Sequence, residues 1–186
     1  MLSSKTPPNR YQEVYRKLRC AYARAEKLAD AQPEDIALVI TEGGLENRKA
    51  RAIASIARQL KQKFGRVTLA PLQKMTDEDA ETFLSSLPEV NKKTARCVLM
   101  YALGRPVFPV DSHCFRIAQR LGWIPKEVYL TDRRADELQA GVPQPLRRDL
   151  HVGMVLVGRN YCLPKNLRCS DCPLLELCPS GSRVQM

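Results

Sequence analysis

Apolar positions along this chain recur at helical spacing almost throughout. Tyr11, Val14, Tyr15, Leu18, Tyr22 and Ala25 fall three or four residues apart, the stripe of one amphipathic helix. Pro33 is placed to open a short helix through Ile36, Val39 and Ile40, which Gly43-Gly44 breaks. A second stripe follows in Ala50, Ile53, Ala57, Leu60 and Phe64, with Gly65 as its stop. Thr76 before Asp77, Glu78 and Asp79 reads as a helix start, with acids against the positive end of the dipole. Asn91 is a candidate cap for a helix through Val98 and Leu103 to Gly104, and Asp111 for one ending near Leu121-Gly122. Two more helices are expected, over about Thr131 to Ala140 and Pro145 to Val157. No alternating run is long enough for a strand, and no repeat is visible. The pattern predicts an all-α protein with a separate cysteine-rich tail.

Composition narrows the function. The 186 residues include 30 Lys and Arg against 20 Asp and Glu, a formal charge of +10 and a pI of about 9.5. Such a surplus serves solubility or a polyanion partner, because cations that neutralise phosphates release condensed counterions. Hydrophobic residues at 44% and charged residues at 27% are ordinary for a globular chain and argue against general disorder. The longest apolar runs, Val98 to Leu103 and Val152 to Val157, are too short to cross a bilayer. The start does not read as a secretory signal, since charge and prolines arrive by Lys5-Thr6-Pro7-Pro8. The expected location is the reducing cytoplasm, where the 7 cysteines need not pair as disulfides.

Four of those cysteines crowd the C-terminus. Cys162, Cys169, Cys172 and Cys178 are spaced C-x6-C-x2-C-x5-C, which can bring four sulfurs around one centre. Lys165 and Arg168 lie inside the first loop, and nearby cations favour the thiolate that metal ligation needs. Zinc commonly takes four thiolates, usually from two C-x2-C knuckles, and this chain has one. A [4Fe-4S] cluster also takes four, but the ferredoxin run is absent. The spacing predicts a metal site and leaves both metals open. Cys20, Cys97 and Cys114 are expected to be small buried apolar residues.

A second informative stretch is Leu87-Pro88-Glu89-Val90-Asn91-Lys92-Lys93-Thr94-Ala95. It joins two helices by a very tight link and opens the second with two lysines. Backbone N–H groups at such a helix start form a natural phosphate seat, and an ordinary helical corner with exposed lysines would read the same way.

These stretches together resemble the endonuclease III family of DNA glycosylases, in the helix-hairpin-helix superfamily. The carriers are LPEVNKKTA, PVFPVDSHCFRIAQRLGW and CLPKNLRCSDCPLLELCP, the last with the family's [4Fe-4S] cysteine spacing. LGRPVFPVD and a His at the place of His151 are similar to the endonuclease III-related branch. Upstream, the stretch Gly44 to Ala50 resembles the family's GLYNSKA, and Leu2 to Thr6 resembles LSAQT.

The resemblance implies a two-lobed, all-α helix-hairpin-helix glycosylase fold. Its first lobe would span 1–106 with the hairpin at about 83–103, its second 107–186 with the cluster loop at 162–178, and DNA would lie in the cleft. The implied activity is base-excision repair: flipping a damaged base from duplex DNA, cleaving its N-glycosidic bond and breaking the abasic strand by β-elimination. Lys93 matches the nucleophile and Asp111 the catalytic aspartate. Lys92, Val90 and Asn91 belong to the DNA-binding hairpin, with Lys92 either on a phosphate or solvated. Leu45 matches the wedge that fills the gap left by the flipped base, although a leucine there also suits the core. Lys5 stands where a gap-filling glutamine is expected. Lys165 and Arg168 would dock DNA beside a [4Fe-4S] cluster on Cys162, Cys169, Cys172 and Cys178. The implied partner is double-stranded DNA with damaged or mismatched bases, met by a monomer.

The chain also departs from the pattern. The family's LPGVG has glycines where this hairpin has Glu89 and Asn91. Glu89 carries a left-handed penalty of about 1 kcal/mol and a carboxylate near the expected phosphate. The chain opens at what would be the family's second helix. These departures favour the alternative of a non-catalytic DNA-binding or damage-sensing iron–sulfur protein; an iron–sulfur electron carrier is a third reading.

Overall fold

In the computed structural model, residues 2 and 8–182 are described, and among them there is helix and no strand. Ten α-helices appear: α1 Pro8–Ala21, α2 Glu26–Asp30, α3 Pro33–Val39, α4 Glu46–Phe64, α5 Asp77–Ser85, α6 Lys92–Leu103, α7 Ser112–Arg120, α8 Asp132–Gly141, α9 Arg147–Asn160 and α10 Pro179–Ser182. The all-α expectation holds. The chain forms two compact units, Met1–Thr94 and Ala95–Met186, so the division falls one turn into α6.

In the first unit Ala50, Ala57 and Leu60 of the expected α4 stripe are buried, together with Ala54, while Ile53 and Phe64 of that stripe are half-buried. Its alanines allow close approach of Val14 and Leu18 from α1 and of Ile36, Ala37 and Ile40 from α3 and its end. Burying each of these larger aliphatic side chains contributes about 1.5–3 kcal/mol. Gly65, at φ 72°, ends α4 where the sequence placed the stop. The first expected helix is shorter than its stripe. It stops at Ala21, and α2 starts at Glu26, held by Arg58 of α4, which donates to the carbonyls of Ala29 at 3.1 Å and Ala31 at 2.9 Å. Cys20 is exposed rather than buried, because it lies off the apolar stripe of α1; Cys97 is half-buried and Cys114 fully buried.

The second unit packs α7, α8 and α9 around Phe108, Val110, Phe115, Ile117, Leu138 and Met154. Arg96 of α6 is buried yet ion-paired to Asp136 of α8, and also donates to the Ala135 carbonyl at 3.3 Å. The segment between α6 and α7 runs buried through Val107, Phe108, Pro109 and Val110. Its polar backbone is answered from the helices around it. Gln139 accepts from the Phe108 N–H at 2.6 Å, and Arg147 donates to the Pro106 carbonyl at 2.9 Å. No helix among the described residues is long and apolar enough to cross a membrane.

Candidate functional site

Helices α5 and α6 form the hairpin. Thr76 caps α5, its Oγ1 accepting from the Asp79 N–H at 3.0 Å. The turn is drawn tight by Leu87 N–H to the Leu84 carbonyl and Val90 N–H to the Leu87 carbonyl, both at 3.2 Å. Asn91 does not need its glycine-like freedom. Its φ is not positive, and its Oδ1 accepts from the Thr94 N–H at 2.9 Å as the cap of α6. That leaves N–H groups of the first turn without intrahelical acceptors. Glu89 alone in the turn takes the left-handed region, at φ 60°.

The two lysines diverge. Lys92 turns back toward Glu81 of α5, 3.6 Å away, in a partly buried ion pair, so it is not the solvated lysine the sequence allowed. Lys93 is exposed, and no partner engages its amine among the described residues. Leu45 is exposed at φ 54°, immediately before α4, which removes the core alternative. Lys5 lies outside the described residues.

Asp111 belongs to the second unit and Lys93 to the first. Asp111 is the N-cap of α7, one carboxylate oxygen accepting from the N–H groups of His113 at 2.9 Å and Cys114 at 2.8 Å. Burial opposes its ionisation, but hydrogen bonds from the Cys114 backbone and thiol and the nearby His113 and His151 outweigh it, so its pKa lies below the ordinary 3.8. Behind it, buried His151 donates from Nδ1 to the Pro109 carbonyl at 2.7 Å, with the Cys114 sulfur 3.6 Å from the same nitrogen. Burial pushes the Cys114 thiol far up, so it is an inert, protonated packing group.

The next turn of α7 carries groups that sequence reasoning passed over. Arg116 donates to the carbonyls of Ser112 and Gly158, both at 3.1 Å, and of Cys162 at 2.9 Å. It also reaches His113 Nδ1 at 3.0 Å. Arginine only donates, so Nδ1 is the acceptor in this contact. Gly158 makes room for that ring, since a β-carbon there would stand 2.6 Å from it. Only the helical spacing of Arg116 and Arg120 on one face of α7 could have drawn attention to them.

Cys162, Cys169, Cys172 and Cys178 line one cavity of about 40 Å³, together with Arg120, Tyr161 and Leu175. Arg120 donates to the Cys162 sulfur at 3.0 Å and to the Leu163 carbonyl at 2.8 Å. Burial, and then the neighbouring Cys162, Cys172 and Cys178, raise the pKa of Cys169 above 9.0. Four thiolates this close require positive charge among them, which suits a thiolate-bound metal group. Yet no three His, Cys, Asp or Glu side chains among the described residues are arranged to hold a single ion. Lys165 and Arg168 are both exposed on the first loop of this segment.

Comparison with known proteins places this geometry. Residues 1–142 match the model of the HhH-GPD superfamily of base excision DNA repair proteins. Endonuclease III of Thermotoga maritima is 33% identical over 178 residues, covering 96% of this chain and 78% of that protein. Endonuclease III of Escherichia coli K12 is also 33% identical, over 82% of this chain and 67% of its own. Among solved structures, a non-covalent endonuclease III–DNA complex matches with a TM-score of 0.80 at 26% identity, covering 99% of this chain and 81% of that one. A trapped covalent endonuclease III–DNA intermediate matches at 0.81 and 25% identity, covering 100% and 82%. Hairpin, capped aspartate and cysteine loop therefore lie in a chain that belongs to the endonuclease III family, within the HhH-GPD superfamily of base excision DNA repair proteins.

Proposed function

We propose that this protein is a DNA N-glycosylase with associated abasic-site lyase activity. The observation that carries the reading is Lys93, exposed and unengaged among the described residues in the first turn of α6 just after the hairpin turn. Its unprotonated amine attacks C1′ of the flipped nucleotide as the N-glycosidic bond breaks and the base leaves with the bonding pair. Loss of the ring oxygen from C1′ then gives a Schiff base. Removal of a C2′ proton expels the 3′ phosphate, and water releases the lysine. A relative's capture as a covalent intermediate with DNA supports the same chemistry here.

Asp111 is the anion in this reading. Held ionised by two backbone N–H groups, it stabilises positive charge growing on the sugar and assists deprotonation of the lysine. Asn91, Val90 and Lys92 form the phosphate-binding turn, Lys92 from its tether to Glu81, and Leu45 is the wedge. The substrate is duplex DNA with a damaged or mismatched base.

Cys162, Cys169, Cys172 and Cys178 would hold a [4Fe-4S] cluster, whose iron supplies positive charge to four thiolates and fixes the loop that carries Lys165 and Arg168 to DNA. Support for a cluster over zinc is the spacing C-x6-C-x2-C-x5-C, which resembles that of the [4Fe-4S] loop of the endonuclease III family to which the chain belongs. Anaerobically purified protein should contain about four iron atoms per chain, and Cys172→Ser should lose iron and its visible absorption. Stoichiometric zinc in place of iron would reject the cluster.

Borohydride reduction with a duplex containing one abasic site tests the activity. The expected result is a protein–DNA adduct that disappears in Lys93→Ala. An iron-loaded protein that binds the duplex, forms no adduct and releases no base would instead be the non-catalytic damage sensor.

A further inference from the structure

Arg48 and Glu89 depart together from the motifs that surround them. Glu89 stands at a glycine of LPGVG, and Arg48 at the serine of GLYNSKA. Both motifs fold into turns that put a non-glycine residue in the left-handed region, Leu45 at φ 54° and Glu89 at φ 60°. The structure joins these turns. Arg48, on the first turn of α4, places Nη2 at 2.7 Å from Oε2 of Glu89. The Arg48 side chain remains 64% exposed, so it is offered to solvent while one of its nitrogens is held. The other guanidinium nitrogens make no hydrogen bond among the described residues.

An unpaired carboxylate on the hairpin would repel the phosphate that the first N–H groups of α6 are placed to seat. Here the carboxylate is answered by a cation with donors to spare in a planar fork, the geometry that suits phosphate. The exchange of glycine for glutamate thus carries its own compensation three residues beyond Leu45.

We propose that Arg48 is a DNA-phosphate-binding residue of this protein, positioned over the hairpin turn by Glu89. The inference rests on the glycosylase reading, because it needs DNA at the hairpin. Glu89 is the positioning residue: it holds the guanidinium between the two turns, and the phosphate takes the remaining donors.

The test is a double-mutant cycle read as duplex affinity across a salt series, using DNA with one stable abasic-site analogue. Arg48→Met should bind about tenfold more weakly and flatten the log–log salt slope by about one, as loss of one phosphate contact requires. Glu89→Ala should have opposite signs in the two backgrounds. With Arg48 present it should weaken binding about twofold to threefold, because the guanidinium loses its placement; in Arg48→Met it should strengthen binding about threefold, because the uncompensated repulsion is gone. Both residues are surface-exposed, so melting temperatures should move by less than about 3 °C, separating these effects from misfolding. Arg48→Met binding like the parent, or Glu89→Ala raising affinity equally in both backgrounds, would overturn the proposal and leave the glycosylase reading intact. A parent protein that binds no duplex at any salt would overturn both.

Discussion

The hairpin and the start of α7 carry the two groups assigned to chemistry, and they are built in opposite ways. Lys93 sits at the surface with no partner among the described residues, beside a turn whose Glu89 is held in a strained conformation. Asp111 is half-buried, takes two backbone N–H bonds and follows a buried segment pinned by Gln139, Arg147 and His151. A nucleophile must travel to a carbon, bond to it and leave again, so it needs conformational freedom. An anion that acts through its field must be fixed and charged before substrate arrives, since orienting it during the reaction would cost what it contributes. On the proposed reading, one region is loose where the bond would form, the other rigid where only charge would be supplied.

The sharpest way to break this contrast is to remove each group and compare activity with stability. Lys93→Ala should abolish the borohydride adduct and abasic-strand cleavage, while unfolding free energy changes by no more than about 0.5 kcal/mol, as for other exposed positions. A large loss of stability would show that Lys93 has a structural role and that the loose site is not loose. For Asp111 the two variants must be paired, because the residue is a helix cap as well as an anion. Asn caps as well as Asp, so Asp111→Asn should keep stability within about 0.5 kcal/mol, whereas Asp111→Ala should lose about 1 kcal/mol. Both should lower single-turnover base release by about 10²–10³-fold if the charge is what matters. An Asp111→Asn enzyme at the parent's rate would reduce Asp111 to a cap.

The sequence made the capped ends legible because a cap acts within three residues. Thr76, Asn91 and Asp111 each bond an N–H two or three positions ahead, and α5, α6 and α7 begin where they were expected. Helix α2 was not legible, since five residues show no period and its end is held by Arg58 from another helix. The cysteine spacing announced that four sulfurs gather, but spacing does not set how far apart they stand, and that separation is what divides a cluster from a single ion. Arg116 and His151 were opaque for a different reason. Apart from Ser112, their carbonyl acceptors lie 42 to 46 residues away, at Gly158, Cys162 and Pro109, and carbonyls leave no mark on side-chain pattern. Glu89 looked like a flaw because its partner lies in another motif. The rigid region was therefore the less readable from sequence: its rigidity is made of long-range bonds to backbone, whereas the loose region is a local turn.

The smallest effect expected is also the most direct check that Asp111 is held charged by the fold. Burial alone would raise its pKa, but hydrogen bonds from the Cys114 backbone and thiol, with His113 and His151 nearby, bring it below 3.8. A carboxylate whose pKa is depressed by folding contributes stability above its unfolded value, about 3.9, and loses it as pH falls through the folded value. At neutral pH the contribution of the charge at the helix start is about 0.3–1 kcal/mol, toward the lower end for a group still partly in contact with water. Asp111→Asn has no such group to titrate. The stability difference between parent and Asp111→Asn, from urea unfolding at a series of pH values, should therefore shift in favour of the variant as pH falls below about 5. Taking the difference removes the titrating groups that do not interact with Asp111; His113 and His151 do interact with it, so the carboxylate is read on the limb below about pH 5, where both are already protonated. A limb that shifted in favour of the parent instead would mean that burial wins at this carboxylate. The fold would then hold Asp111 partly protonated, and the rigid site would no longer be the pre-charged one.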